Sequence, residues 1–87
     1  MPEKQSVFFV ESFSGARQQR RYTLELFREP DGRYRLIQCR IHQEYKSILE
    51  EKHTLAASKD ELKMMSLGNN RLVKQLRRSE WWNSDEQ

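Results

Sequence analysis

The side chains able to do chemistry in this chain are few. Two histidines, His42 and His53, and a single cysteine, Cys39, are the nitrogen and sulfur side chains it could offer a metal. Cys39-x-x-His42 with His53 offers three ligands, whereas a closed zinc site takes four at recognised spacings. A rim position for the histidines and a core position for the cysteine is the simpler expectation. No nucleophile has a base beside it at a recognisable spacing. Gly15, Gly32 and Gly68 are isolated and form no phosphate-cradling loop. No catalytic residue, no metal and no cofactor is expected. The chemistry that remains is that of arginine and aromatic rings. Between Arg17 and Arg40 lie Arg20, Arg21, Arg28, Arg33 and Arg35, with Phe27 and Tyr34 among them. Guanidinium groups fork onto phosphate oxygens and rings stack on bases, so this mixture suits a single nucleic-acid strand. Arg17, Arg20, Arg21, Phe27, Arg28, Arg33, Tyr34 and Arg40 are the candidate nucleic-acid residues. Trp81 and Trp82 are candidate partner anchors, since tryptophan is enriched at interface hot spots. Packing back onto the sheet is their ordinary alternative.

The element that must position the arginines runs from Arg20 to His42. Tyr22, Leu24 and Leu26 alternate with Thr23, Glu25 and Phe27, the two-residue period of a half-buried strand. Pro30, Asp31 and Gly32 carry turn chemistry. Ile37, Cys39 and Ile41 alternate with Leu36, Gln38 and Arg40. A four-residue loop, Glu29 to Gly32, sets Arg28 opposite Arg33, Leu24 opposite Ile37 and Tyr22 opposite Cys39. It gathers Tyr22, Leu24, Leu26, Ile37, Cys39 and Ile41 on a core face. Arg21, Phe27, Tyr34, Leu36 and Arg40 then share the other face. A one-residue bulge at Gly32 would shift this register, but the four-residue loop separates the apolar side chains more cleanly. Cover of Phe27, Tyr34 and Leu36 by C-terminal helices is the structural alternative to a binding role.

Elsewhere, residues 1–6 read as a leader and Val7 to Phe13 as a strand. Three antiparallel strands in a meander follow, with a fourth as an alternative over residues 45–55. There, Tyr45, Ile48, Leu49, Leu55 and Ala56 fit one helical stripe, and Glu50, Glu51, Lys52 and Ala57 favour helix, which is the expectation. Ser58-Lys59-Asp60-Glu61 is a capping-box pattern for a helix from Lys59 running through Leu62, Met65 and Leu67. Gly68-Asn69-Asn70 reads as a C-cap and turn. Arg71 to Ser79 carries Leu72, Val73 and Leu76 on one side of a last helix. Residues 7–82 form one domain, and 83–87 a polar tail.

With 87 residues, 33% of them charged, the chain has room for one modest core. The net charge of +3 is unevenly spread. Residues 1–42 hold eight basic and five acidic side chains, and residues 43–87 eight of each. One cysteine excludes an intrachain disulfide and suits a reducing, cytoplasmic compartment. A polar MPEKQS start gives no signal peptide, and no apolar run approaches the ~20 residues of a membrane span. An exposed edge in Val7 to Phe13 favours a homodimer.

The run RRYTLELFREPDGRYRLI, within residues 7–41, resembles the central hairpin of PUR-repeat domains, which are similar to whirly-type folds. The resemblance implies an antiparallel sheet followed by a helix, single-stranded DNA or RNA as ligand, and a fourth strand where residues 45–55 read as helix. WGR-type modules resemble the same strands, but Gln38-Cys39-Arg40-Ile41 replaces their naming motif. The expectation is an α+β domain, an antiparallel meander packed by C-terminal helices. It acts as a non-enzymatic module binding single-stranded nucleic acid. The rival is a protein-interaction or assembly factor, such as a viral or mobile-element adaptor, using Trp81, Trp82 and the helical face.

Overall fold

The chain from Gln5 to Ala56 forms one antiparallel sheet in the order β1-β2-β3-β4, with neighbours in sequence paired in space. The computed structural model describes residues 3–84. Its strands are β1 (Gln5–Ser14), β2 (Arg20–Arg28), β3 (Tyr34–His42) and β4 (Ser47–Ala56). Three short helices follow: α1 (Lys59–Met64), α2 (Arg71–Arg77) and α3 (Glu80–Asn83). The fold is α+β, a four-stranded meander with helices after it. Gln5 and Ser6 of the expected leader already belong to β1, and Asn83 of the expected tail belongs to α3. The outer parts of that leader and tail, Met1–Pro2 and 85–87, lie outside the described residues.

The helix expected over 45–55 is instead β4. Nearly all of its side chains are exposed, with only Thr54 and Ala56 turned away from solvent. An edge strand with so little buried surface has no apolar alternation to reveal it, and its Glu, Lys and Leu content favours helix. Pairing along β3, from Tyr34 opposite Ala56 to His42 opposite Ser47, overrides that propensity.

The hairpin register also differs from the expected one. The Glu29 N–H donates to the Arg33 carbonyl at 2.7 Å, and the Gly32 N–H donates to Glu29 at 2.9 Å. The loop proper is therefore Pro30-Asp31-Gly32, a turn followed by a left-handed residue, with Gly32 at φ 90°. The loop is one residue shorter than expected, with Glu29 rather than Arg28 paired to Arg33. Arg28 now faces Tyr34, Leu24 faces Gln38 and Tyr22 faces Arg40. A shift of one residue turns every β3 side chain to the opposite side of the sheet. Tyr34 and Leu36 enter the core, while Ile37, Cys39 and Ile41 go to the open face.

The core lies between the sheet and the helices. Leu24, Leu26 and Leu36 are fully buried against Leu62, Val73 and Leu76, with Phe8 and Val10 of β1 packed alongside. The Ser58 side chain accepts the Glu61 N–H, so the expected N-cap forms, while Glu61 accepts the Ala57 N–H, one residue before the Ser58 N–H of a full capping box. Yet α1 stops at Met64, short of the expected Leu67, because Met65 is extended. Asn70 caps α2 by accepting from Val73 N–H at 2.9 Å. Lys59 is only 6% exposed. Its ammonium donates to the carbonyls of Trp81 and Ser84 and lies 4.6 Å from the Trp81 ring centre, so the buried charge is well partnered.

Candidate nucleic-acid interface

The helix-covered face of the sheet changes character along its strands. One row across β1 to β4 is Phe8, Leu26, Leu36 and Thr54, and the next is Val10, Leu24, Gln38 and Lys52. Beyond it come Ser12, Tyr22, Arg40 and Glu50, and finally Ser14, Arg20, His42 and Ser47. Polarity rises towards the same end in β1, β2 and β3, and the β4 positions in these rows are polar throughout. There the sheet runs past its apolar cover and a cleft of about 420 Å³ opens, lined by Ser12, Ser14, Tyr22, Arg40 and Glu50 with Asn70 and Arg71 from the start of α2.

Three guanidinium groups converge on this end. Arg40 and Arg71 line the cleft, and Arg20 reaches the Tyr22 hydroxyl. A hydrogen bond with Ser14 lowers the Tyr22 pKa from its ordinary 10.0, and Arg20 and Arg40 pull it the same way. Arg17 stands on the 3-10 turn Ala16–Gln18 that joins β1 to β2. That turn and the β3–β4 turn are tied by the Gln43 N–H, which donates to the Gln19 carbonyl at 2.7 Å. Tyr45 on the second turn is 72% exposed and stacks on His42, with ring centres 4.7 Å apart. Among the described residues, every non-glycine with positive φ lies on these two turns: Arg17, Gln18 and Lys46.

The candidate residues therefore separate. Arg20 and Arg40 lie around Tyr22 at the cleft end, and Arg17 stands on the turn that joins β1 to β2 there. Arg21 and Phe27 do not share a face with Tyr34 and Arg40, as the four-residue loop had implied, because the bulged turn inverts β3. Arg21 lies on the open face, where Glu11 accepts from its guanidinium. Phe27 is on that face too, with the Lys4 ammonium 4.5 Å from its ring centre. Arg28 and Arg33 lie at the far end of the sheet, and Arg33 pairs with Asp31 at 3.5 Å. Tyr34 is 3% exposed and meets the Trp81 ring edge-on, 5.3 Å between centres. Trp81 and Trp82 are half-buried against the core. The structure thus covers Tyr34 and Leu36, as the structural alternative has it, and leaves Phe27 uncovered.

The open face has its own aromatics, Phe9, Phe13 and Phe27, but its arginines are already paired. Arg21 is bound to Glu11, and Arg35 is 3.0 Å from Glu29. Of the cleft residues, Tyr22, Ser12, Ser14 and Arg71 do not stand out as binding residues in the sequence, and neither does Tyr45 on the neighbouring turn. Their signal is the inward positions of three strands turning polar towards one end. No protein-family model, no curated protein and no solved structure matches this chain.

Proposed function

We propose that this domain is a non-enzymatic module that binds single-stranded nucleic acid, with the cleft end of the sheet as its contact surface. The observation that carries the reading is Arg40 and Arg71 lining the cleft and Arg20 beside Tyr22, with Arg17 on the adjoining turn, at the end that also exposes the Tyr45 ring. Guanidinium groups follow phosphates, and an exposed ring accepts an unpaired base. Glu50 is the carboxylate lining the cleft beside Arg40 and Arg71, so the lining keeps a positive balance. The order of four antiparallel strands and then helix is also what the PUR-repeat resemblance implies. A single cysteine agrees with a cytoplasmic setting.

Binding measured across a salt series with single- and double-stranded oligonucleotides tests this. Single strands should bind more tightly. Arg20→Glu and Arg40→Glu should each weaken binding by the same factor for every sequence, since phosphate contacts carry no base information. Removing one arginine–phosphate pair should flatten the salt slope by roughly 0.7 for a single strand. Failure to bind any oligonucleotide at low salt removes the proposal.

A second reading, self-association, is favoured by β1. It is an edge strand of ten residues whose one charged side chain, Glu11, is already engaged by Arg21. We infer a homodimer in which two β1 edges pair.

A further inference from the structure

We propose that the cleft is a seat for one phosphate group, supplied by a nucleic-acid strand or by a free nucleoside monophosphate. This rests on the nucleic-acid reading above and makes it specific. Two buried nitrogens carry the inference. Gln38 Nε2 and Arg40 Nε are both shielded from solvent and have no hydrogen-bond partner in the protein. Both side chains line the same cavity and stand two residues apart on one face of β3. Each nitrogen only donates, so what completes the site must accept. Buried donors are rarely left unmatched in folded proteins.

The surroundings say which acceptor fits. Arg71 adds a guanidinium, and Ser12 and Tyr22 add hydroxyls. Gln38 is held in place because its Oε1 accepts from Asn70 Nδ2 at 3.3 Å, which leaves its amide nitrogen for a ligand. Glu50 stands opposite Arg40 across the β3–β4 pair, and no ion pair joins them among the described residues. The Arg40 charge therefore stays available. So many donors exceed what the two oxygens of a carboxylate accept, and a tetrahedral phosphate with its extra oxygens satisfies more of them. A cavity of about 420 Å³ exceeds one phosphate and falls in the size range of small-molecule sites, so sugar and base enter with it.

Proton–nitrogen NMR spectra of the full chain, following the Arg40 Nε–H and the Gln38 side-chain amide, test this directly. The ligands are inorganic phosphate, adenosine monophosphate and an oligothymidylate, each compared with sodium chloride at equal ionic strength. Both resonances should move with all three ligands and stay still with chloride. Arg40→Lys, which keeps the charge and loses the fork, should weaken the monophosphate at least tenfold. Arg71→Gln, at an exposed position, should weaken it severalfold and serves if Arg40→Lys does not fold. If the oligonucleotide binds while phosphate and monophosphate leave both resonances unmoved, the phosphate seat is overturned and the nucleic-acid reading stands. If the monophosphate moves them and no oligonucleotide binds, the seat stands and the nucleic-acid reading falls. Equal shifts with chloride mean screening only and overturn the seat.

Discussion

At the scale of single residues, Tyr22 reports the electrostatics of the cleft. Its hydroxyl is hydrogen-bonded to Ser14, and Arg20 and Arg40 add to the stabilisation of the phenolate, so its pKa falls below 10.0. Because the folded value lies below the unfolded one, this group adds stability only at alkaline pH. That contribution is complete above the unfolded value and vanishes as pH falls through the folded one. Binding of an anion responds in the other direction. Ionised Tyr22 puts a negative charge beside the seat, so affinity should decline as pH rises through the lowered pKa. In Ser14→Ala the largest cause of the shift is gone, and the Tyr22 ring-carbon titration followed by NMR should move up in pH. An unchanged titration would mean that Ser14 does not set the potential here. Asn70 has a double duty at the same site, capping α2 and holding Gln38. Asn70→Ala should cost about 1 kcal/mol in chemical denaturation through loss of the cap. It should also weaken phosphate binding by freeing Gln38, whereas a purely structural cap would leave affinity unchanged.

At the scale of elements, β1 to β3 were legible, while β4 and the β2–β3 register were not. Strand β2 announces itself because Leu24 and Leu26 alternate with Thr23 and Glu25, the leucines buried and the polar pair only half-buried. Strand β3 carries aliphatic side chains at both parities, Leu36 in the core and Ile37 and Ile41 outside, so alternation cannot choose its inner face. The turn chooses it, through one glycine. Gly32 sits at φ 90°, and a Cβ added there meets nothing within 4 Å. Gly32→Ala should therefore cost only the backbone penalty, about 1–2 kcal/mol. Gly32→Asn should cost less, since asparagine tolerates the left-handed region. Equal costs in urea titration would show that crowding, not φ, governs the position. The cleft was hidden for the same reason. Arg40 joins Tyr22 only when β3 is inverted relative to the cleaner apolar segregation, and Arg71 arrives from a helix whose docking no local pattern encodes. The start of α1 was readable because Ser58 and Glu61 act through local hydrogen bonds.

At the scale of the whole molecule, the C-terminal aromatics and the free sheet edges have separate consequences. Trp81 closes the core over Tyr34 and receives the Lys59 ammonium against its ring. Truncation after Ser79 should lower the melting temperature sharply, and Trp81→Ala alone should cost about 3 kcal/mol, near the lower end for large-to-small core changes. Near-normal stability together with abolished association would instead make the pair a partner anchor. The β1 edge is the feature that bears on assembly. Two copies paired antiparallel along β1 extend the sheet from four strands to eight. The two-fold axis then lies normal to the sheet. It keeps both helix layers on one side and sends the two clefts to opposite ends, so each dimer presents two separate phosphate seats. Sedimentation at micromolar concentration should show a dimer. Phe9→Asp and Phe13→Asp alter the open face rather than the outward backbone of β1, so they should leave the dimer intact. A monomer throughout that range removes edge pairing. Dissociation of the dimer in the Phe9 and Phe13 variants moves the interface to the open face, with Ile37 and Ile41 at its centre.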